Sequence, residues 1–396
     1  MKRQKAKTVS TFHLIILMTA FLMLLGVVGC SKDSSTNSPS LTNEQVVQKL
    51  QVLLEETVAG QPNVHSAALQ VEMPGRNLTF KGAAGLAIPD DSLSMTINSR
   101  FRIASVTKMI TATCIMLLKE EGSINLDSSI VKYLSASGID FDKLHVYENQ
   151  SYGRLITVYQ LLTHTSGLPD YFFDGPVNEN GYTEFMQYIL DHPDKQWEPI
   201  ETINWNIEHL SPFFAPGKGF HYSDANYALL GMIIEEVSGI SLPQFYRSRI
   251  FDPLNMHDTY LQFHESDLPG GILSHPYIGD VDLGPINTSA DWGSGGLVST
   301  AGDLTKFIRA FADDGIFINS ITKDRMLDFV NTGSGYSYGL GVIKIPFPEG
   351  VVWGHVGFYG SFMMYWPAKN ITICGTFNQL NIEIETTGRK ILQIVR

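Results

Sequence analysis

The feature that most constrains this chain is a serine and a lysine, three residues apart, at the start of a long uncharged run. Ser105 and Lys108 precede residues 109–118, none of which is charged. We predict a short extended approach that turns into a buried helix, on which residues three apart share one face. A serine hydroxyl needs a neighbouring base to act as a nucleophile, and an amine can serve when burial lowers its pKa. The start of a helix also presents N–H groups to developing negative charge.

Two other serines, Ser129 and Ser320, also have a lysine three positions later. Neither precedes a long apolar helix. Ser129 lies in a polar turn, and Ser320 is predicted to cap a helix over residues 321–330. Only Ser105 has the right context, so its importance depends on partners elsewhere in the chain.

Composition and charge exclude several classes of function. The 396 residues are 44% hydrophobic and 17% charged, which supports a core of ordinary size. The formal net charge of −12 argues against nucleic acid as a partner. No cysteines and histidines have zinc-site spacing, so we predict neither a metal nor a cofactor. Cys114 and Cys374 lie in apolar runs and are expected to be buried free thiols, with a disulfide as the alternative.

Residues 1–29 are predicted to be a lipoprotein signal peptide. A basic start is followed by the uncharged run 14–28, and the sequence Val-Val-Gly-Cys ending at Cys30 resembles a bacterial lipobox. In such proteins the chain is cut before the cysteine, which then carries lipid. The alternative, a transmembrane anchor, would need a longer run. We therefore expect residues 30–41 to be a flexible tether and the lipid on Cys30 to hold the protein at the bacterial cell envelope, on the outer membrane or its periplasmic face.

Strand patterns at both ends of the remaining chain, with helix patterns between them, predict an α+β fold. Strands are predicted over residues 65–73, 78–86, 351–355, 360–366 and 371–378. Helices are predicted over residues 43–57 after a capping box at Thr42, then over 156–162, 184–190, 225–237, 303–311 and 383–395. We expect one domain over 42–396. Its mainly antiparallel sheet comes from 42–100 and 290–396, terminal helices flank it, and 101–289 form an inserted, mostly helical part.

Two further segments carry side chains that could join the site. Tyr222 and Asp224 stand two apart on an extended segment and can face the same side, and a tyrosine beside a lysine can move protons. On a predicted strand, His355 could polarise a substrate and Gly357 permits close backbone approach. The N–H of Phe358 could then join that of the serine around an oxyanion. Taken one at a time, a core tyrosine, a helix cap and a structural histidine are the simpler explanations.

Taken together, the order and separation of Ser105-x-x-Lys108, Tyr222-x-Asp224 and His355-x-Gly357 resemble the serine β-lactamase and penicillin-binding superfamily. The closest branch contains class C β-lactamases, D,D-carboxypeptidases and related esterases. The resemblance covers roughly residues 64–396 and extends to flanking segments. These segments are 101–105, 160–168, 222–231, 252–256 and 295–304.

The resemblance implies a β-lactamase/transpeptidase-like fold and a serine hydrolase that forms an acyl-enzyme on an ester or amide. It makes Ser105 the nucleophile and assigns its proton to Lys108 and Tyr222, without deciding which is the base. The substrate would be bound by Asp224, His355, Gly357 and Phe358. Its partners would be a small-molecule or peptide substrate and the membrane.

Two departures from the family pattern affect the expected substrate. Asp224 stands where an asparagine is usual and can only accept hydrogen bonds when ionised, so we expect it to keep Lys108 charged and leave more of the base role to Tyr222. Val356 stands where a hydroxyl often binds a substrate carboxylate. Strong activity on penicillins or D-Ala-D-Ala ends is therefore not expected, and an esterase or amidase is favoured. The alternative is a non-catalytic or slowly acylating penicillin-binding or sensor protein.

Other reactive-looking residues are left outside the predicted site. Ser337 matches a Gly-x-Ser-x-Gly motif but lacks the following helix and acid that a nucleophile elbow needs, so we predict a loop there. His164 and Ser166 lie in a segment that the resemblance makes mainly structural. Trp292 and the glycines after it could line the cleft.

Overall fold

The computed structural model describes residues 41–380 and 384–396, which fold around one antiparallel sheet. The strands, in chain order, are β1 (Ser66–Met73), β2 (Leu78–Ile88), β3 (Leu93–Ser94), β4 (Phe101–Arg102), β5 (Val146–Tyr147), β6 (Gln150–Ser151), β7 (Tyr260–Leu261), β8 (Tyr277–Ile278), β9 (Val281–Asp282), β10 (Leu297–Ser299), β11 (Val330–Asn331), β12 (Ser337–Tyr338), β13 (Ile343–Phe347), β14 (Gly350–Val356), β15 (Ser361–Trp366) and β16 (Ile371–Thr376). In the described residues the main sheet has the order β11-β12-β13-β14-β15-β16-β1-β2-β3. The pairing of β1 with β16 therefore joins the two ends of the chain, as the sequence predicts.

Helices cover both faces of this sheet. In the described residues they are α1 (Asn43–Gly60), α2 (Thr107–Glu120), α3 (Val131–Leu134), α4 (Phe141–Leu144), α5 (Val158–Leu162), α6 (Glu184–Asp191), α7 (Pro199–His209), α8 (Asp224–Ser238), α9 (Leu242–Tyr246), α10 (Trp292–Gly295), α11 (Ala301–Ala312), α12 (Ser320–Met326) and α13 (Ile384–Val395). The terminal helices α1 and α13 pack on one face, where Leu50 and Leu392 share an apolar cluster with Leu69 of β1. Because successive strand residues point to opposite faces, Ala68 joins the larger core on the other side.

Helix α2 lies at the centre of the molecule. Its residues 107–118 are all buried, and a helix that is enclosed on every side belongs to a core. The chain reaches it through β4, which pairs with β10, and then through the 3-10 turn Ala104–Val106. This confirms the predicted extended approach into a buried helix. It also places Ser105 where the sheet meets the helical part.

Most predicted elements occur within a few residues of their expected limits, and the capping box at Thr42 is present. Cys114 and Cys374 are buried free thiols, so the disulfide alternative is wrong. The cap of α12 is Asn319 rather than Ser320, because the asparagine side chain accepts from the backbone N–H of Ile321.

The predicted loop around Ser337 is partly wrong, because Ser337–Tyr338 pairs with β13 as an inner strand of the sheet. Within the described residues no helix combines the length and the apolar character needed to cross a bilayer. Cys30 and the predicted signal peptide and tether up to residue 40 lie outside the described residues.

A glycine contact ties the sheet end of the chain to α2. Gly341 has φ +74°, and a Cβ atom built on it would lie 2.5 Å from Ala112 Cβ and 2.9 Å from the carbonyl oxygen of Lys108. Gly122 has φ +80° and no atom within 4 Å of such a Cβ. The two glycines therefore share a left-handed backbone conformation, but only at Gly341 would an added Cβ atom overlap neighbouring atoms.

We expect Gly122→Ala to lower the free energy of unfolding by about 1–2 kcal/mol, the cost of a left-handed conformation for a residue with a Cβ. Gly341→Ala should lower it by roughly 1–3 kcal/mol more, because its methyl group overlaps α2. Urea unfolding of both variants measures the difference. Equal losses would show that Gly341 does not make this close contact.

Candidate active site

The turn that carries Ser105 is held in an uncommon backbone conformation. Ala104, immediately before the serine, has φ 44°, which residues other than glycine rarely adopt. The turn is fixed from the other side by Ser361, whose hydroxyl donates to the carbonyl of Ile103 at 2.7 Å. Ser105 itself is half-buried, so its hydroxyl is held at a boundary between core and solvent.

Lys108 is fully buried, and its ammonium group has three partners from three segments. Nζ donates to Ser105 Oγ at 3.1 Å and to the carbonyl oxygen of Ser294 at 2.8 Å. It also forms an ion pair with Oδ1 of Asp224. An ammonium group has three protons, and three acceptors surround this one. The predicted pairing of Asp224 with Lys108 is thus present.

Tyr222 lies beside the serine and the lysine. Lys108 Nζ is 4.9 Å from the centre of its ring, and the Ser105 hydroxyl is close enough to lower the pKa of the phenol. Burial outweighs this effect, however, and together with the charge of Asp224 it raises the pKa of Tyr222 well above the ordinary value. The negative charge of Asp224 therefore offsets the stabilisation that the positive charge of Lys108 would give to a phenolate form of Tyr222.

A second carboxyl group lies behind Asp224. Oδ2 of Asp170 accepts from the backbone N–H of Asp224 at 2.9 Å, and Oδ1 accepts from Phe172 and Phe173. Burial and the neighbouring charge of Asp224 raise the pKa of Asp170 well above its usual range. The protonated form of Asp170 is therefore favoured, while Asp224 forms the ion pair with Lys108.

His355 is buried and neutral. Its Nδ1 donates to the carbonyl of Val356 at 2.7 Å, so its Nε2 accepts from the hydroxyl of Tyr338 at 3.1 Å. Burial, and then the charge of Lys108, lower the pKa of His355 to about 3. The ring of Tyr338 meets the ring of Tyr222 edge-on at 6.0 Å, and the ring of His355 lies 6.4 Å from that of Tyr222.

Gly357 and Phe358 come up against the turn before the serine. A Cβ atom on Gly357 would lie 2.1 Å from Ser361 Oγ and 2.3 Å from the carbonyl oxygen of Ile103, so only glycine fits without a shift. This confirms the close backbone approach expected there. In the described part of the chain the N–H of Phe358 donates to no other group, which leaves it available to a ligand.

Two aromatic residues of this site were not found from the sequence. Tyr338 lies in the predicted loop, and His164 in the segment considered structural. The ring of His164 stacks on that of Tyr222 at 4.2 Å and 28°. Its Nδ1 accepts from Ser223 N at 3.1 Å and from Asn226 Nδ2 at 3.0 Å. In the structure His164 has a φ of 55°, a conformation that clusters at functional sites and that its sequence alone does not reveal.

His164 stays neutral in this setting. Burial, and then the charge of Lys108, hold its pKa well below the ordinary value. Its buried Nε2 has no hydrogen-bond partner in the described residues. Ser166 lies outside the cluster and donates to Asn226, and Trp292 is buried against Gly231 instead of lining an open cleft.

The structure thus brings all the predicted site residues of the described chain into one region. A hydroxyl, an ammonium group and a phenol are adjacent, and a free N–H group lies on the facing turn. This arrangement can support nucleophilic attack on a carbonyl group. In residues 41–380 and 384–396 no three side chains of the metal-binding types converge.

Comparison with known proteins agrees with this geometry. The family model described as Beta-lactamase matches residues 52–393. Penicillin-binding protein 4* of Bacillus subtilis (strain 168) is 28% identical over 322 residues, which are 77% of this chain and 65% of that protein. The chain thus spans slightly less than two thirds of that relative.

Two solved structures are similar over nearly their whole length. The D-stereospecific amidohydrolase from Streptomyces sp. has a TM-score of 0.70 and 26% identity, covering 89% of this chain and 98% of that one. The D-amino acid amidase from Ochrobactrum anthropi SV3, in complex with L-phenylalanine amide, has a TM-score of 0.74 and 25% identity, covering 88% and 98%.

Proposed function

Because the chain belongs to the β-lactamase family, we propose that it is a serine hydrolase that forms an acyl-enzyme on Ser105. The observation that carries the proposal is the contact of the buried Lys108 ammonium with Ser105 Oγ, beside the phenol of Tyr222. The backbone N–H groups of Ser105 and Phe358 are the proposed donors to the oxyanion. Each of these donors would act where negative charge develops during attack on a carbonyl.

The proposed proton path keeps Tyr222 uncharged. Its raised pKa disfavours a resting phenolate, and the ion pair with Asp224 keeps Lys108 as an ammonium. As Ser105 Oγ attacks, the phenol accepts the serine proton and passes its own proton to the leaving nitrogen or oxygen. Water then attacks the acyl-enzyme by the reverse relay, which returns the proton to Ser105. Lys108 remains charged and stabilises the developing negative charge throughout.

An amide or ester is the proposed substrate class. Val356 offers no hydroxyl to a substrate carboxylate, and Asp224 already forms an ion pair with the Lys108 ammonium group. Two structural neighbours are a D-stereospecific amidohydrolase and a D-amino acid amidase. These observations favour an amidase or esterase over a β-lactamase.

The nucleophile is tested with a fluorophosphonate probe. Wild type should be labelled and should hydrolyse p-nitrophenyl esters or amino acid amides faster than nitrocefin. Ser105→Ala should lose both labelling and turnover, since triad-type nucleophiles typically contribute a factor of about 10⁶. Ser320→Ala, which changes another serine of a Ser-x-x-Lys motif, is the matched control. Labelling that persists in Ser105→Ala would rule out this nucleophile, and a stable adduct without turnover would favour a sensor.

The relay makes a prediction about pH. Asp224→Asn removes the carboxylate charge that raises the pKa of Tyr222, so the phenol should lose its proton at lower pH. Because the relay needs a protonated phenol, the alkaline decline of kcat/KM should begin at lower pH in this variant than in wild type. Asp127→Asn, an exposed carboxylate, controls for the change in net charge. A shift of the acidic limb instead would indicate a phenolate base.

We also propose that lipid on Cys30 anchors the protein at the bacterial cell envelope, which rests on the lipobox-like sequence. Cys30→Ala should move the protein from the membrane fraction to the soluble fraction and abolish incorporation of labelled palmitate. Cys114→Ala is the control, because that thiol is buried. Unchanged palmitate incorporation in Cys30→Ala would contradict the anchor.

A further inference from the structure

Asp291 is a carboxylate beside the nucleophile that the proposed mechanism does not use. A Cβ atom built on Gly295 would lie 3.5 Å from Asp291 Cγ and 3.6 Å from the carbonyl carbon of Ala104, so only Gly295 separates this side chain from the turn of Ser105. The same short helix carries Ser294, whose carbonyl accepts from Lys108. Asp291 therefore directly precedes the helix whose Ser294 carbonyl binds the Lys108 ammonium group.

No cation in the described residues pairs with Asp291. Of the charged groups that act on it, Lys108 is occupied by Ser105, Ser294 and Asp224. Arg102 also acts on it, but this guanidinium donates elsewhere, to Gln262 and to the carbonyl oxygens of Leu283, Gly284 and Ile286. Asp224 also acts on Asp291, and the charge of Asp291 in turn acts on the phenols of Tyr171 and Tyr359.

Asp291 keeps part of its surface exposed, as Ser105 does. Ser105, Tyr222 and Asp291 are each half-buried, whereas Lys108 and Ser294, which lie between them, are fully buried. The oxygens of Asp291 have no hydrogen-bond partner among the described residues, yet they are not among the buried unpaired atoms. They are therefore unpaired and not completely enclosed by protein atoms.

We propose that Asp291 binds a primary ammonium group of the substrate, close to the carbonyl that Ser105 attacks. The substrate class is then an α-amino acid amide or ester, or a peptide with a free amino terminus. This inference rests on the proposed serine hydrolase function and narrows it. A carboxylate that forms no ion pair with a protein cation and is not completely enclosed is complementary to an ammonium group, and it repels the carboxylate that penicillins carry.

The ionisation of Asp291 gives the interaction a pH window. Burial, and then the charge of Asp224, raise the pKa of Asp291 to about 7, against the opposing effects of Arg102 and Lys108. Below that pH the protonated acid attracts an ammonium group less. Above about 8 the α-amino group of the substrate loses its own charge. Binding of a free-amine substrate should therefore be strongest between these two values.

The test compares phenylalanine amide, as its D and L forms, with the N-acetylated amides. Each compound is used to protect Ser105 against the fluorophosphonate probe near pH 7.5, in wild type and in Asp291→Asn, Asp291→Glu and Asp127→Asn. In wild type the better free-amine form should protect at a concentration about 10- to 100-fold lower than its N-acetyl analogue, as expected for a charge-assisted hydrogen bond.

The variants decide the role of Asp291. The ratio between the two compounds should fall toward one in Asp291→Asn, remain in Asp127→Asn, and be partly restored in Asp291→Glu, which keeps the charge. A ratio near one in wild type, or an unchanged ratio in Asp291→Asn, overturns the proposal while labelling remains intact. A wild type that the probe does not label overturns the proposed function itself. If Asp291→Asn does not fold, a wild-type ratio that falls below pH 7 supports the proposal, and a constant ratio contradicts it.

Discussion

The buried ammonium group of Lys108 is the interaction on which the site depends. A charge removed from water costs several kcal/mol unless partners surround it. Here the partners come from three separate parts of the chain, which are the turn of Ser105, the first turn of α8 at Asp224 and the helix of Ser294. Any arrangement that separates these segments leaves the charge unpaired. Assembly of the site and closure of the helical part around α2 are therefore one event.

Close backbone contacts complete this arrangement from the side of the sheet. Gly357 lies against Ile103 just before the nucleophile, and Gly341 lies against α2 one turn after Lys108. Both glycines come from the C-terminal half of the sheet, which itself pairs with β1. The position of the serine thus depends on sheet registry as much as on its own helix. This explains why its neighbour Ala104 is held in a conformation that it would not adopt alone.

The sequence predicts the parts of the site that depend on local spacing or on obligatory chemistry. Ser105 and Lys108 share one helical face, and an ionised Asp224 has to find a cation. Sequence does not predict His164 and Tyr338, because their roles come from ring contacts between distant segments. The glycines around Ser337 favour a loop, and the pairing of Ser337–Tyr338 with β13 depends on a distant segment that the local motif does not reveal. The sequence does not decide between Asn319 and Ser320 as the cap of α12, because asparagine and serine cap helices equally well.

The distribution of charged and neutral side chains in the site bears on which substrates it can bind. His164 and His355 are neutral because burial lowers their pKa values, and Tyr222 and Asp170 are neutral because burial raises theirs. The ion pair of Lys108 with Asp224 has no net charge. Above its pKa of about 7, Asp291 adds a carboxylate that acts on Arg102 and forms no ion pair among the described residues. The Asp291 carboxylate would attract an ammonium group on the substrate, whereas it would repel a carboxylate on the substrate. The proposed role of Asp291 would therefore favour amino acid derivatives over β-lactams.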